Sequence, residues 1–317
     1  MTTKTQHPVR LAALAATTAL LLAACGGSSE SNVTPGPDRI DFDSTNLQPE
    51  GVAFDPWADE FLVGSRTQGT IHHVSDSGVL RLLTEDSPMS STLGLEVDHE
   101  TARVLAAGET APNTPALGSF DLATGATVAV IDLSSIAPGP ARLANDVALS
   151  SSGRAYVTDT LAGAIYRVEP DGTASVFVAN HADLVLPNGI VAHPDGFLLV
   201  NSISGPSLLR VPLDEPGGIQ AVTSPFNVSG DGMVLLEDGT LAIVGEAVRP
   251  DGTVEGPGVT VYATADGWQS AEAVASWVAD EAATTAALRA GNLHAIYAGL
   301  FQPERETYSI VKTNLSE

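Results

Sequence analysis

The 317-residue chain is short of several things, and each shortage removes a class of protein. It holds one cysteine, Cys25, so no intrachain disulfide can form and no cysteine-rich metal site can be built. Against 38 Asp and Glu there are 14 Lys and Arg, and the only lysines are Lys4 and Lys312. The net charge of −24 excludes nucleic acid as the expected partner, because a phosphate backbone is bound by a basic face. No Gly-x-x-x-x-Gly-Lys-Ser/Thr run occurs, so the many glycine turns are not phosphate loops. Gly-x-Ser-x-Gly and His-Glu-x-x-His are also missing, which removes the usual support for serine and zinc hydrolases. Charged residues are nevertheless only 16% against 44% hydrophobic, so the chain has the means to build a core.

The N-terminus reads as an address. Lys4 and Arg10 precede an apolar run over residues 11–24 that is too short for a membrane-spanning helix. Leu22-Ala23-Ala24-Cys25 resembles the bacterial lipobox, in which the cysteine receives a diacylglyceryl group and becomes the new N-terminus. The expectation is a leader over 1–24, a lipidated Cys25 with a Gly/Ser/Pro-rich tether over 25–37, and a folded body over 38–317. Location would then be the bacterial cell envelope. An anionic bilayer repels so acidic a body, so the lipid alone would hold it there.

The body is repetitive. Gly51-Val-Ala-Phe-Asp, Gly94-Leu-Glu-Val-Asp, Asp146-Val-Ala-Leu-Ser, Gly189-Ile-Val-Ala-His, Gly232-Met-Val-Leu-Leu and Thr285-Ala-Ala-Leu-Arg recur at roughly 40–50-residue spacing. Each starts a series of short apolar runs separated by turn dipeptides such as Asp171-Gly172, Asp195-Gly196 and Asp238-Gly239. Four short strands per unit predict an all-β, six-bladed β-propeller of four-stranded antiparallel blades. The last unit supplies three strands only, ending in Thr307–Thr313. The segment Arg39–Ser44, upstream of the first repeat, is predicted to supply the fourth and close the ring. The Ala-rich stretch 271–287 is read in register as the outer strand of blade five and a connection, not as helix.

One column carries chemistry. The residues expected just before the six innermost strands are Glu50, Leu93, Asn145, Asn188, Asp231 and Thr284, and they should converge near the axis. Four are strong oxygen donors and none is basic. Two carboxylates brought together repel each other unless a hard cation such as Ca²⁺ neutralises them, and that ion takes carboxylate and carboxamide oxygens. For any one residue, ordinary turn chemistry explains Asn-Gly or Asp-Gly equally well. The shared register is what favours a metal.

Pro49-Glu50-Gly51-Val52-Ala53-Phe54-Asp55, Asn145-Asp146-Val147-Ala148, Pro187-Asn188-Gly189-Ile190 and Gly230-Asp231-Gly232-Met233 resemble the senescence-marker-protein/gluconolactonase/luciferin-regenerating-enzyme family. The resemblance spans residues 39–317 and implies a six-bladed propeller with Ca²⁺ or another divalent ion in its channel. It implies Glu50, Asn145, Asn188 and Asp231 as ligands, with Asp231 as general base or, as in the phosphotriesterase-like relatives, nucleophile. The activity implied is hydrolysis of a small-molecule lactone or ester. A phosphotriesterase-like hydrolase and a non-enzymatic, metal-stabilised binding propeller remain open alternatives. No match stands for the family's substrate-binding arginine or for a histidine dyad.

Second strands run antiparallel to the first, so the pocket mouth should be built from 65–68, 109–117, 159–161, 201–203, 246–257 and 300–306. Within these, Arg66, Asp159, Asn201 and Arg249 are the candidate substrate-rim residues. Arg66 and Arg249 each face either an anionic substrate group or solvent. His72 and His73 fall on a third strand and are expected to be structural. Resemblance to the diisopropylfluorophosphatase relatives suggests a second ion at His294.

Overall fold

Twenty-four short strands fall into six antiparallel sheets of four. The computed structural model describes residues 1–2, 33–203, 207–224, 230–300, 302 and 304–316. The predicted leader and Cys25 lie outside the described residues. Val33–Glu317 forms one compact unit, and no helix occurs among its described residues. In blade three the order from axis to periphery is Ala144–Leu149, Ala155–Asp159, Ala164–Val168, Ala174–Ala179, each strand paired with the next. Turn chemistry forces this meander: Gly196 and Gly239 sit at φ 86° and 83°, which a side chain would oppose.

Blade six closes as predicted. Its inner three strands are Ala286–Arg289, Asn292–Tyr297 and Thr307–Lys312, and the fourth is Arg39–Asp43 from the other end of the sequence. Ile40 pairs with Ile310 and Phe42 with Tyr308. Glu272–Val278 is the outer strand of blade five, again as expected.

The core is not one mass but six, each wedged between neighbouring blades. Ala53, Leu62 and Ile71 of blade one pack against Val104, Ala106 and Phe120 of blade two. The sixth cluster joins Ile40, Phe42, Ile296 and Ile310 to Val52, Phe61 and Val63. Six interfaces among six blades mean that the ring has no open end. The apolar alternation of the strands is what supplies a face to both neighbours.

Near the axis the blades approach so closely that a column of glycines is required. A Cβ on Gly51 would lie 2.0 Å from the Leu93 carbonyl oxygen, and one on Gly189 would lie 2.3 Å from that of Asp231. The contact in each case is with the next blade. Four of the six repeats begin with glycine, and at Gly51 and Gly189 a side chain would collide with the next blade.

The far end of the ring holds the incoming chain. Arg289, at the end of the inner strand of blade six, is fully buried. It donates to the Thr34 carbonyl at 3.0 Å and Asp59 at 3.1 Å and pairs with Asp76, while its guanidinium lies over Phe54 and Phe61.

Candidate metal centre and substrate pocket

Glu50, Asn145, Asn188 and Asp231 come together at one end of the central channel, on the floor of a cavity of about 460 Å³. Their placement differs in one respect from the sequence expectation. Asn145, Asn188 and Asp231 lie inside the inner strands Ala144–Leu149, Pro187–His193 and Gly230–Leu235, not before them. In each strand pairing to its neighbour is interrupted at that point, between Ala144 and Val147, Pro187 and Ile190, and Gly230 and Met233. Blade two has the same irregularity between Thr92 and Leu95. A bulge bends the strand and turns a side chain that would otherwise lie in the sheet face toward the axis.

Backbone groups freed by the bulges are taken by polar side chains, in several cases from the preceding blade. Thr158 donates to the Asn188 carbonyl at 2.6 Å, Asn201 to the Asp231 carbonyl at 2.8 Å, and Thr284 to the Glu50 carbonyl at 2.7 Å. Three of the four donor-bearing peptides are thus fixed by a neighbouring blade, as buried backbone requires. Asn201 was read as rim; it is instead fully buried behind Asp231.

The electrostatics fit a cation. Burial pushes the Glu50 carboxyl well above its ordinary range, and the charges of Asp231 and Asp146 push it further. Burial raises Asp231 to about 6, opposed by an Asn188 hydrogen bond and by Arg66. Two carboxylates and two carboxamides, all desolvated and all oxygen, form a donor set suited to a hard divalent ion. No group of three or more His, Cys, Asp and Glu side chains positioned for a metal occurs among the described residues. Half of the donors here are asparagines.

A second acidic level lies deeper, which the sequence analysis did not single out. The channel continues as a cavity of about 340 Å³ lined by residues including Glu96, His99, Asp146 and Phe54. Burial, then Asp146 and Asp98, raise Glu96 to about 8. Asp146 is raised to about 7, again chiefly by burial, although it accepts the Val147 and Ile190 amides. The available signal was an aspartate standing in the glycine column of the repeat.

Of the predicted rim, Arg66, Glu109, Pro112, Ile203 and Leu300 line the pocket, together with Ser90, Ser91, Leu93 and Leu143. Burial raises the Glu109 carboxyl, which accepts the Asn113 amide at 2.6 Å. Arg66 is the one cation of this lining. Asp159 does not reach it: fully buried, it accepts the Leu143 and Ala162 amides and the Tyr166 hydroxyl, and so shapes the approach to Asn145. Arg249 is exposed and paired with Glu255 at 2.9 Å. The segments 109–117 and 246–257 belong to extended hairpins, Arg103–Ala111 with Thr114–Asp121 and Leu241–Val248 with Val254–Ala263, rather than to long loops.

Of the histidines, His73 meets Asp55 at 2.9 Å inside blade one, and burial lowers His72 to about 4. His294 does not join the pocket; it packs beside Phe61, 5.0 Å between ring centres, with Nδ1 against the Asn292 carbonyl.

The fold is a six-bladed propeller with oxygen donors gathered at one end of its channel. No family model matches the sequence, and no curated protein does. Solved structures do. Regucalcin from Agrobacterium tumefaciens, a calcium-binding protein, superposes at TM-score 0.62 with 20% identity over 88% of this chain and 95% of its own. A gluconolactonase from Xanthomonas campestris gives 0.62 and 16% over 86% and 88%. A streptogramin B lyase gives 0.60 and 13% over 88% and 97%. At such identities the likeness is one of fold, and this fold carries more than one chemistry.

Proposed function

We propose that the chain is a divalent-cation-dependent hydrolase of lactones or related esters, with Ca²⁺ the best-fitting ion. One observation carries the reading: four oxygen donors, three of them buried and two of them mutually repelling carboxylates, converge where the channel opens into a pocket large enough for a small molecule. The likeness to a gluconolactonase and to a calcium-binding propeller supports it. An open pocket above the donors favours a hydrolase over a binding ring whose ion only plugs the channel.

Bound there, a divalent cation supplies Lewis acidity to a substrate carbonyl oxygen. The chain's own residues do the rest. Asp231, ionised above about pH 6, accepts a proton from the attacking water at a carboxylate oxygen. The water oxygen bonds to the acyl carbon, the ring C–O bond breaks, and the alkoxide leaving group takes up the proton. The product is a hydroxy acid, whose carboxyl ionises at neutral pH to the hydroxycarboxylate and one released proton. Arg66 faces the carboxylate so formed. Asn188 and Asn145 orient the floor without adding charge.

The test is metal analysis followed by a lactone and ester panel on the wild type, Asp231→Asn and Asn188→Ala. Turnover should follow metal content and fall at least 10³-fold in Asp231→Asn with the fold retained by circular dichroism. Full metal occupancy with no turnover on any substrate would exclude the hydrolase.

We further propose that Cys25 carries a lipid anchor at the cell envelope. The Arg289 clamp holds Thr34 at the end of the ring opposite the pocket. Cys25→Ser should move the protein from the detergent phase to the aqueous phase, and mass spectrometry of the wild type should show the acyl chains.

A further inference from the structure

We propose that the pocket selects lactones or esters carrying an aliphatic substituent, in preference to polyhydroxylated sugar lactones. This rests on the hydrolase reading above and deepens it.

The walls are divided. Arg66, Ser90, Ser91 and Glu109, all from blades one and two, make one side polar. The apolar groups come from Leu143, which leads into blade three, Ile203, which follows the second strand of blade four, Leu300, which follows that of blade six, and Pro112 of blade two. In the axial column itself, Leu93 stands where blades one, three, four and five place oxygen. Among the described residues, Leu143, Ile203 and Leu300 bring no side chain that donates or accepts. A sugar lactone bound there would bury hydroxyls without partners, and each unpaired group is strongly disfavoured. An alkyl chain would instead leave water for aliphatic walls.

The mouth extends the same surface. Ile203 is 47% exposed, and Leu161, in the turn after Ala155–Asp159 at the same end of the ring, is 52% exposed. Neither side chain belongs to a core cluster, and Ile203 carries the apolar lining out to solvent. The geometry therefore fixes an orientation: the ester carbonyl down on the four oxygen donors, the new carboxylate toward Arg66, and the substituent along Leu143 and Ile203 toward Leu300.

The experiment uses the calcium-loaded protein and δ-lactones with pendant chains of zero, two, four and six carbons, with gluconolactone alongside. Over the first four carbons kcat/KM should rise about two- to fourfold per methylene, the gain expected for each CH₂ buried. Gluconolactone should fall at least tenfold below the four-carbon lactone. Ile203→Ser should flatten the chain-length series. A flat series in the wild type, or gluconolactone turned over as well as the alkyl lactones, overturns the proposal. If no lactone is hydrolysed at all, the hydrolase reading fails separately. Calorimetry with the matching alkyl lactams then decides: Kd falling with chain length supports the apolar wall, and Kd independent of it refutes the inference.

Discussion

At the scale of single residues, the site is made of groups that are individually uncomfortable. Glu50 and Asp231 are carboxylates moved out of water, and their raised proton affinities express that burial first, with the charges of Asp231 and Asp146 adding to the rise at Glu50. The four donors were visible in the sequence because the repeat put them in one column. Asn201 was visible only as a rim residue, since nothing in the order of amino acids shows that its amide reaches back to the Asp231 carbonyl. We expect Asn201→Ala to weaken Ca²⁺ binding about 10- to 100-fold, measured by calcium titration, as for other groups that hold a ligand in place. Glu96 gives a pH prediction. Its folded carboxyl titrates at about 8 against an ordinary value of 4.5, so the native state holds a proton that the unfolded chain has lost between those values. Stability contributed in this way is complete below about pH 4.5 and declines as pH rises toward 8. Thermal melts of the calcium-free protein should therefore show Tm falling between pH 5 and 8, and Glu96→Gln should reduce the slope.

At the scale of elements, the meander and its turns were legible because alternation and Gly-containing dipeptides are local properties. The outer strand of blade five was read correctly from register despite its alanine content, since neighbouring blades, not propensity, decide that segment. The bulges at 145–146, 188–189 and 231–232 were not legible. They arise from pairing with the second strand, and no residue type announces them. What the sequence did mark is the glycine that follows three of the four donors, Gly51, Gly189 and Gly232. Gly189→Ala places a methyl 2.3 Å from the Asp231 carbonyl, so it should lower stability by about 1–3 kcal/mol and weaken Ca²⁺ binding at a site it does not touch. Closure is equally local in cause and global in effect. Phe42, fully buried on the strand Arg39–Asp43, packs 5.7 Å from Tyr308 between ring centres. Phe42→Ala should cost about 3–5 kcal/mol in denaturant unfolding, because it opens the seam where both ends of the chain meet.

At the scale of the whole molecule, the ring turns six weak local preferences into one site. Each inner strand contributes at most one donor, and only a closed set of blades points them at a common centre. A cation bound to native protein alone stabilises it, by about 2.7 kcal/mol at a free concentration one hundred times Kd. Chelation should accordingly lower Tm and Ca²⁺ should restore it, with a gain that grows as pH rises, because protons held by Glu50 and Asp231 compete with the ion. The sequence by itself determined the blade number, the strand that closes the ring and the column of oxygen donors, because all three are written in periodicity and residue type. Only the tertiary structure decided that three donors sit in bulges, that Arg66 lines the pocket while Asp159, Asn201 and Arg249 do not, and that one wall is apolar. Those are relations between blades. They are fixed by how closely six sheets approach a common axis, a distance that no single repeat contains.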